Sequence, residues 1–462
     1  AKLMQIAGVK AIYPVEVIQA PKADVLGTGI VGDMATALSM TGANIAQNSL
    51  GLDGSGIKVA VMDTGIDIDH PDFGGNGANG STTFPTARVQ YGYDFVGDAF
   101  NADSSSASYN PVTTPDNNPD DCGGHGTHVA GTIGASGNNG TGVVGVNWNV
   151  TLLPCQFLGP SGGSTAGAIE CINYFTDLKL NHGVDIKATN NSWGGGGFSE
   201  TLLAAIQSGG DAGILFIAAS GNDGGNADSA PMYPAAYDLD VIVSVASTDR
   251  NDAMSGFSNY GLTSVDLGAP GSAILSTIPG GGYATYSGTS MASPHVAGAA
   301  ALVWSVNPDL SPAEMKAILM ESGDSIAALE GKTVSGKRLN LVNALADADP
   351  TPSFKLTLSP RNQEIVAGDS TSYTLDVGSI AEWMGDVALS IDVDPTLEGV
   401  SLSANTAQPG QSVSLNVATS TETPWGNYQF TVTGTNTATG ELVKTTTAGL
   451  SILPQGLTEY PY

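Results

Sequence analysis

The sequence predicts an α/β domain with a mostly parallel central sheet, followed by a smaller all-β domain of the immunoglobulin-like sandwich type. Between about residues 56 and 348, short apolar runs alternate with longer segments of helical spacing that end at glycine. Beyond residue 353 the helical spacing disappears, and alternating apolar and polar residues follow, separated by turn residues. A chain of 462 residues is also too long for one ordinary domain.

Five apolar runs predict the buried strands of the first domain, because each is continuously apolar and contains β-branched residues. They are IKVAVMD at 57–63, VTLLPCQFL at 150–158, IKATNNSW at 186–193, GILFIAAS at 213–220 and VIVSVAS at 241–247. Segments 165–183 and 198–213 have helical spacing and lie between these runs. Strands that alternate with helices favour parallel pairing, since each helix carries the chain back across the sheet.

The second domain begins after a change of composition at ADADPTPS, residues 346–353. We place the linker at 347–353 and the sandwich domain at 354–456. Six segments there alternate apolar and polar residues, namely FKLTLS, TSYTLDVG, DVALSIDV, SVSLNVAT, YQFTVTGT and VKTTTAGLSI. This alternation predicts strands with one buried and one exposed face.

The charge balance excludes some classes of partner. Acidic residues outnumber basic ones by 44 to 15, for a formal net charge of −29. Nucleic acids and anionic membranes need lysine and arginine to neutralise phosphates, so we expect neither as a partner and favour an acidic extracellular protein. No run of about 18 uninterrupted apolar residues is present, which argues against a membrane span. The first 21 residues lack the features of a secretion signal, and we expect a longer precursor.

Three cysteines are too few for a disulfide scaffold, and they lack the CxxC spacing of metal sites. Cys155 ends a predicted strand and Cys171 lies in the following predicted helix, so a bridge between them is feasible. Cys122, three residues before His125, would then be a free thiol.

Three side chains suited to peptide-bond hydrolysis stand at the ends of predicted elements. Asp63 ends the first strand, His125 lies where the glycines of GGHGTHVAG give way to a helix, and Ser290 lies at the helix opening SGTSMASPHVAG. This chemistry requires a hydroxyl nucleophile, an imidazole that takes its proton and a carboxylate that orients the imidazole. Strand carboxyl ends face the ligand crevice of such sheets, and helix N-termini favour negative charge. Each motif alone would more often be a turn or a helix cap.

Together, DTGI at 63–66, HGTHVAG at 125–131 and GTSMASPHVAG at 288–298 resemble the three signatures of subtilisin-like serine proteases, the subtilase family or peptidase family S8. The resemblance covers about residues 33–345 and is to the bacterial secreted type with a C-terminal sandwich domain. It implies a three-layer catalytic domain, which we place at 25–346.

The resemblance also implies a role for each matching residue. Ser290 is expected to be the nucleophile, His125 the general base and then acid, and Asp63 the orienting carboxylate. Asn222, in IAASGNDGG, is expected to donate its amide to the oxyanion of the tetrahedral intermediate.

Other residues of these motifs are expected to be structural. His128 and His295 lie further along the two motifs than the catalytic residues, and we expect both to support the fold. Pro294 is expected to lie in the first helical turn, where a missing N–H is tolerated.

In this family an extended substrate adds as a strand beside the segment that matches NSWGGGG. The resemblance therefore implies a groove with one wall at Ser192, Trp193 and Gly194, a facing wall at Ala219, Ser220 and Gly221, and a floor near Met232 and Tyr233. The wall residues are small and uncharged, so we expect broad specificity with a preference for a large apolar or aromatic residue before the cut.

The resemblance further implies structural calcium, held by an all-oxygen ligand set of the kind that Ca²⁺ prefers. The ligands it suggests are Asp72, the Asn139 side chain, the carbonyls of Gly137, Thr141 and Val143, and Asp33. The loop SGNNGTGV at 136–143 has one residue more than the family pattern, so its register stays open.

Residues 1–24 resemble the tail of the family's inhibitory propeptide, with the mature start between about residues 25 and 33. We therefore expect a secreted, calcium-stabilised, monomeric serine endopeptidase with peptide substrates and a propeptide partner. The alternative is a catalytically silent binding or adhesion protein on the same fold. The 62 residues from Asp63 to His125 are about thirty more than in compact members, which predicts a surface insertion, a further calcium site or a change to the groove.

Overall fold

The computed structural model describes residues 15–18, 24–25, 34–348, 353–359, 362–380, 383–440 and 442–454. The chain divides into two compact units, Ala1–Ala348 and Asp349–Tyr462. The helices of the first unit are α1 Met34–Thr41, α2 Ala43–Asn48, α3 His125–Gly134, α4 Thr165–His182, α5 Glu200–Asp211, α6 Thr289–Val306, α7 Pro312–Glu321 and α8 Leu341–Ala348. In the part of the chain that the structure describes, no helix has the length and apolar character that a membrane span needs.

The strands of the first unit are β1 Val17–Ile18, β2 Asp24–Val25, β3 Lys58–Asp63, β4 Tyr93–Asp94, β5 Thr151–Gln156, β6 Leu158–Gly159, β7 Gly162–Ser164, β8 Ile186–Asn191, β9 Leu215–Ala219, β10 Ile242–Thr248, β11 Leu267–Pro270, β12 Ile274–Ile278, β13 Gly282–Ser287, β14 Asp324–Ser325 and β15 Lys337–Arg338. Nine of them form one sheet in the order β14-β15-β11-β10-β9-β8-β3-β5-β4. Neighbours in it pair in parallel except β14 and β15, which are antiparallel. The predicted α/β class with a mostly parallel sheet is confirmed.

The central sheet is covered on both faces, which explains the continuous apolar runs. In β3, Val59 and Val61 pack into one core, while Ala60 and Met62 pack into another. The first core also contains buried residues of α3 and α6, and the second contains those of α4 and α5. Successive strand residues point to opposite faces, so both sets must be apolar. The unit therefore has three layers, with helices on each side of the sheet.

Two small sheets connect the N-terminal segment to this unit. β1 pairs antiparallel with β7, and β2 pairs antiparallel with β13. β13 ends at Ser287, three residues before Ser290. One of the two partner strands thus leads directly into α6.

The second unit is all-β and contains two sheets. Its strands are β16 Ser353–Ser359, β17 Asn362–Val366, β18 Ser370–Ile380, β19 Val387–Asp394, β20 Val400–Leu402, β21 Thr406–Ala407, β22 Ser412–Ala418, β23 Gly426–Asn436 and β24 Val443–Leu453. The sheet orders are β16-β18-β22-β20 and β17-β24-β23-β19-β21. Leu375 and Leu415 of the first sheet share one core with Phe430 and Leu450 of the second. The two sheets therefore pack face to face.

Candidate active site

Asp63 and His125 form a close contact at the carboxyl edge of the central sheet. Asp63 is the last residue of β3 and is fully buried. His125 is the first residue of α3, which begins after Gly124 turns the chain at φ 86°. Nδ1 of His125 lies 2.9 Å from Oδ1 and 3.0 Å from Oδ2 of Asp63. A carboxylate in this position favours a proton on Nδ1, so Nε2 is the atom left to act as a base.

The surroundings of His125 adjust its basicity. Burial by itself lowers the pKa of His125, but the charge and hydrogen bond of Asp63, together with the charge of Asp121, raise that pKa above its usual value. Nε2 of His125 is buried and has no hydrogen-bond partner among the described residues. This nitrogen is therefore available to take a proton.

Ser290 is the second residue of α6 and is fully buried. Its hydroxyl donates to the carbonyl of Ser192 at 3.3 Å, and the Ser192 hydroxyl donates to the Ser290 carbonyl at 2.9 Å. The two bonds join the start of α6 to the end of β8. Proton transfer to His125 requires the Ser290 hydroxyl to turn away from Ser192, and catalytic hydrogen bonds often tighten only when substrate is bound.

Pro294 differs from the sequence-based expectation. It is the sixth residue of α6 and so lies beyond the first turn. Proline has no N–H, and the carbonyl four residues earlier, that of Ser290, therefore has no helical donor. The Ser192 hydroxyl donates to this carbonyl instead. The proline thus frees the group through which α6 is tied to β8.

Asn222 is held by the residue that precedes Ser290. Its Oδ1 accepts hydrogen bonds from the backbone N–H of Thr289 at 2.9 Å and from the Thr289 hydroxyl at 2.8 Å. Its Nδ2 is buried and has no partner among the described residues. A methyl group on Gly288 would lie 3.2 Å from this Nδ2 and 3.6 Å from the backbone nitrogen of Ser290. Two donors therefore border one small volume next to Ser290, as oxyanion binding requires.

Asp121 is a further acidic residue of the site, and it was not predicted from the sequence. Its Oδ1 accepts from the Thr64 hydroxyl at 2.7 Å and from the two backbone N–H groups of residues 123–124 at 2.8 Å each. Its Oδ2 accepts from the N–H of Thr127 at 2.9 Å and from its hydroxyl at 2.5 Å. Asp121 therefore caps α3 and ties it to the end of β3. The available signal was an aspartate shortly before a helix, which favours capping.

The family comparison agrees with this geometry. The model of the subtilase family matches residues 54–345. The chain belongs to the subtilase family. Members of this family are serine peptidases, so the resemblance inferred from three motifs is confirmed over well over half of the chain.

Individual subtilases show how far the similarity extends. Alkaline serine exoprotease A of Vibrio alginolyticus is 38% identical over 328 residues, which cover 67% of this chain and 51% of that protein. Subtilisin Savinase of Lederbergia lenta is 38% identical over 283 residues, covering 61% of this chain and 89% of that protein. Subtilisin-like protease 2 of Plasmodium falciparum (isolate 3D7) is 36% identical over 297 residues, 63% of this chain and 20% of that protein. The chain thus spans about half or less of two of these three relatives.

A solved structure titled as a cold adapted subtilisin-like serine proteinase is 34% identical, with a TM-score of 0.49. The similarity covers 63% of this chain and 90% of that one.

The groove residues expected from the sequence lie in three chain segments, 192–194, 219–221 and 232–233. The N–H of Gly195 donates to the carbonyl of Tyr233 at 3.0 Å, which joins the first segment to the third. A methyl group on Gly194 would lie 3.2 Å from Cγ of Met232. A methyl group on Gly221 would lie 2.6 Å from Cε of the same methionine. Met232 therefore spans the space between the two walls.

Four of the residues expected to form the walls are buried. Ser192, Trp193, Ala219 and Ser220 are all at most 1% exposed. The Trp193 ring packs edge-on against Phe157 with ring centroids 5.0 Å apart, so it belongs to the core behind the groove.

The other two histidines of the motifs have structural contacts. Nε2 of His128 lies 3.2 Å from the carbonyl of Ile274 and 3.1 Å from that of Ala284, and burial lowers the pKa of His128 to about 3. Nδ1 of His295 lies 2.9 Å from the carbonyl of Met291, and burial lowers its pKa to about 4. Both rings are neutral at ordinary pH and hold neighbouring backbone.

The predicted calcium ligands are only partly together. Oδ1 of the buried Asp72 accepts from Nδ2 of Asn139 at 2.6 Å, and its Oδ2 accepts from the N–H of Val143 at 3.3 Å. Thr141 donates its N–H to Oδ1 of Asn139 at 3.2 Å. Gly137 stacks on Trp148, since a methyl group there would lie 2.2 Å from the indole ring.

These residues fit a hard cation in part. Half a turn of the Asn139 amide brings an oxygen to face Asp72, an arrangement that a cation stabilises. Asp33 lies outside the described residues. Within the described ranges, no group of three or more His, Cys, Asp or Glu side chains could hold a metal ion, and this includes the segment between Asp63 and His125.

The cysteines occupy two environments. Cys155 and Cys171 form a disulfide that joins β5 to α4, with Cα atoms 5.9 Å apart. Cys122 is a free thiol whose sulfur lies 3.2 Å from Nε2 of Gln156. Burial, and secondarily the charge of Asp121, raise the pKa of the Cys122 thiol to about 12. It is therefore protonated at neutral pH and a poor nucleophile.

Proposed function

We propose that this chain is a secreted serine endopeptidase that hydrolyses peptide bonds through an acyl-enzyme intermediate. One observation carries the proposal. Two donors, Nδ2 of Asn222 and the N–H of Ser290, border one small volume beside a serine, and a buried carboxylate orients His125 in the same unit. Such a constellation suits acyl transfer, in which negative charge develops next to the nucleophile.

The residues would act in the following order. Nε2 of His125 takes the proton of the Ser290 hydroxyl as the serine oxygen attacks the carbonyl carbon of the peptide. The carbonyl oxygen becomes an oxyanion and accepts hydrogen bonds from Asn222 and from the Ser290 backbone. The imidazolium, stabilised by Asp63, then gives its proton to the leaving amine and so releases it. Water repeats the sequence on the acyl-enzyme and regenerates Ser290.

Substrate preference follows from the groove. We expect the groove to bind the substrate through main-chain hydrogen bonds. Such bonds do not depend on the substrate's side chains, so the sequence specificity should be broad. Met232 lies between the two walls and gives the groove an apolar floor. We therefore expect a preference for a large apolar or aromatic residue before the cut.

The N-terminal segment is proposed to be the tail of an inhibitory propeptide. Support comes from its two pairings, in which Val17–Ile18 lie along β7 and Asp24–Val25 lie along β13 just before Ser290. Ile18 is 1% exposed, as expected of a residue seated in a binding site. We infer that self-processing removes this segment by a cut that leaves the mature start between about residues 25 and 33.

Calcium is proposed as a structural ion near Asp72, where it would neutralise a buried carboxylate and order the loop 136–143. Removal of calcium with a chelator should lower the melting temperature of the first unit.

Secretion is supported by composition and by relatives. The net charge of −29 with only 13% charged residues suits an extracellular protein. One relative, 36% identical over 316 residues, is named extracellular protease of Xanthomonas campestris.

Fluorophosphonate labelling tests the proposed chemistry. We expect the reagent to modify Ser290, with cleavage of an unfolded protein substrate lost in parallel. The S290A variant provides the control, since it should fold but take up no label. A folded wild-type chain that neither reacts nor cleaves would instead support a silent binding protein.

A further inference from the structure

Asn259 is a buried residue beneath the loop that carries Asn222, and it is 3% exposed. Its Nδ2 donates to the carbonyl of Ser220 at 3.1 Å. Its Oδ1 accepts from the N–H of Asp223 at 3.0 Å and from the N–H of Gly225 at 3.1 Å. One amide thus contacts the backbone both before and after Asn222.

The loop needs such support because its own conformation is irregular. The bonding of β9 to the next strand continues as far as the N–H of Ser220, which donates to the carbonyl of Val245 at 3.1 Å. Gly221 and Gly224 then adopt φ 109° and 66°, which turn the chain sharply on both sides of Asn222. A backbone with two such turns and no regular ladder is fixed by its tertiary contacts.

The backbone of Asn259 reinforces the contact. Its N–H donates to the carbonyl of Gly221 at 2.9 Å, and its carbonyl accepts from the Ser220 hydroxyl at 3.2 Å. The amide nitrogen of Asn259 also occupies the space beside Gly221, where a methyl group would lie 2.3 Å from it. Loop and asparagine are therefore closely packed as well as hydrogen-bonded.

We propose that Asn259 is a positioning residue for catalysis, which holds the backbone on both sides of Asn222 and so keeps the Asn222 amide at the oxyanion position. The inference rests on the proposed peptidase function. Thr289 fixes the side chain of Asn222, whereas Asn259 fixes the backbone from which that side chain extends. Asparagine suits the task because one group must accept two N–H bonds and donate to a carbonyl, and aspartate lacks the donor.

A double-mutant cycle between Asn259 and Asn222 tests this coupling. N222A should lower kcat by about 10²–10³-fold, the usual loss for one oxyanion donor. N259A should lower kcat by about tenfold, with KM changed less than about threefold, because transition-state stabilisation is affected more than ground-state binding. In the N222A background, N259A should lower kcat by less than about twofold, since the Asn222 amide that Asn259 positions is absent.

A matched control separates positioning from stability. Asn307, which follows the C-terminal end of α6, also has a side-chain amide that both donates and accepts. It donates to the carbonyl of Ala348 at 3.1 Å and accepts from the N–H of Asp309 at 3.3 Å. N307A should lower the melting temperature without changing kcat. If N259A is not folded, N259S retains a hydroxyl in the same space and serves in its place.

Two results would overturn the proposal for Asn259. One is an equal loss of kcat from N259A with and without Asn222, and the other is a folded N259A with wild-type kcat. A wild-type chain that cleaves no peptide and takes up no fluorophosphonate is a different result, since it contradicts the peptidase function itself.

Discussion

In the first unit, β3 is buried on both faces from Val59 onward and ends in Asp63, which contacts His125. In the second unit, β22 alternates exposed and buried residues from end to end, and its neighbours share one apolar core. A sheet covered on both faces brings strand ends and helix N-termini together at an edge shielded from water, where hydrogen bonds and charges have strong effects. In the sandwich, Tyr373 joins the two sheets by donating its hydroxyl to the carbonyl of Gly449 at 2.6 Å.

The largest expected effect is the loss of activity in S290A, which should concern the first unit alone. S290A should lower kcat by about 10⁵-fold or more, because nucleophile and base act as one unit. The unfolding transition of the sandwich should not move. S293A is the matched control, since Ser293 lies one turn further along α6 and donates to Oδ1 of Asn190 at 2.8 Å. Substantial activity in S290A, measured on a peptide substrate, would contradict the assigned nucleophile.

Removal of the disulfide should affect the stability of the first unit. The bridge between Cys155 and Cys171 spans 16 residues of sequence, and closing a loop of that length contributes about 3 kcal/mol. The double variant C155S/C171S should lose about that much free energy of unfolding. Calorimetry should show the loss in the first unit alone, and an equal shift in the sandwich would contradict the separation of the units.

D121N should lower kcat/KM by about tenfold and change its pH dependence. Burial raises the pKa of Asp121, and five hydrogen bonds to its carboxylate oppose that shift. In its ionised form, the charge of Asp121 helps to raise the pKa of His125. Without that charge the pKa of His125 falls, so the rise of kcat/KM, expected between about pH 6 and 8 in the wild type, should move to lower pH.

A second aspartate provides the control for D121N. Asp228 also accepts five hydrogen bonds, all from residues 262–264, and no influence of it on His125 is found. D228N should leave the pH profile in place. A profile that is the same in D121N and D228N would show that Asp121 acts through structure alone.

In the second unit, Y373F should lower the free energy of unfolding of the sandwich by about 1 kcal/mol, since it removes one neutral hydrogen bond between the two sheets. Chemical denaturation followed by a probe in that unit measures the change. Peptidase activity should stay as in the wild type.

The smallest expected effect is that of removing the second unit. A chain that ends at Ala348 retains both cores of the first unit, whose members lie within it. Its kcat on a short peptide should be within about twofold of the full chain. A large loss would show that the sandwich takes part in catalysis.

Whether a feature could be predicted from the sequence depends on how local its physical cause is. The strand runs were predictable because a sheet covered on both faces requires continuous apolar residues, as in β3. Ser290, His125 and Asp63 could be proposed as catalytic residues from the sequence because their motifs are long. For Asp121 the sequence offers only an aspartate shortly before a helix, and its bond to Thr64 joins residues 57 positions apart. Asn259 was not predictable, since its partners in the Asn222 loop lie 34 to 39 positions away and nothing in a short stretch marks it.

Local periodicity in the sequence predicts the two kinds of sheet, and motifs of adjacent residues indicate the family and the candidate reacting side chains. The way in which those side chains are held depends on tertiary contacts. Pro294 illustrates the difference: in the sequence it is an awkward helix residue, and in the fold it leaves the Ser290 carbonyl free for the Ser192 hydroxyl. Such contacts join residues almost a hundred positions apart, and their energies depend on distances that only the folded chain sets.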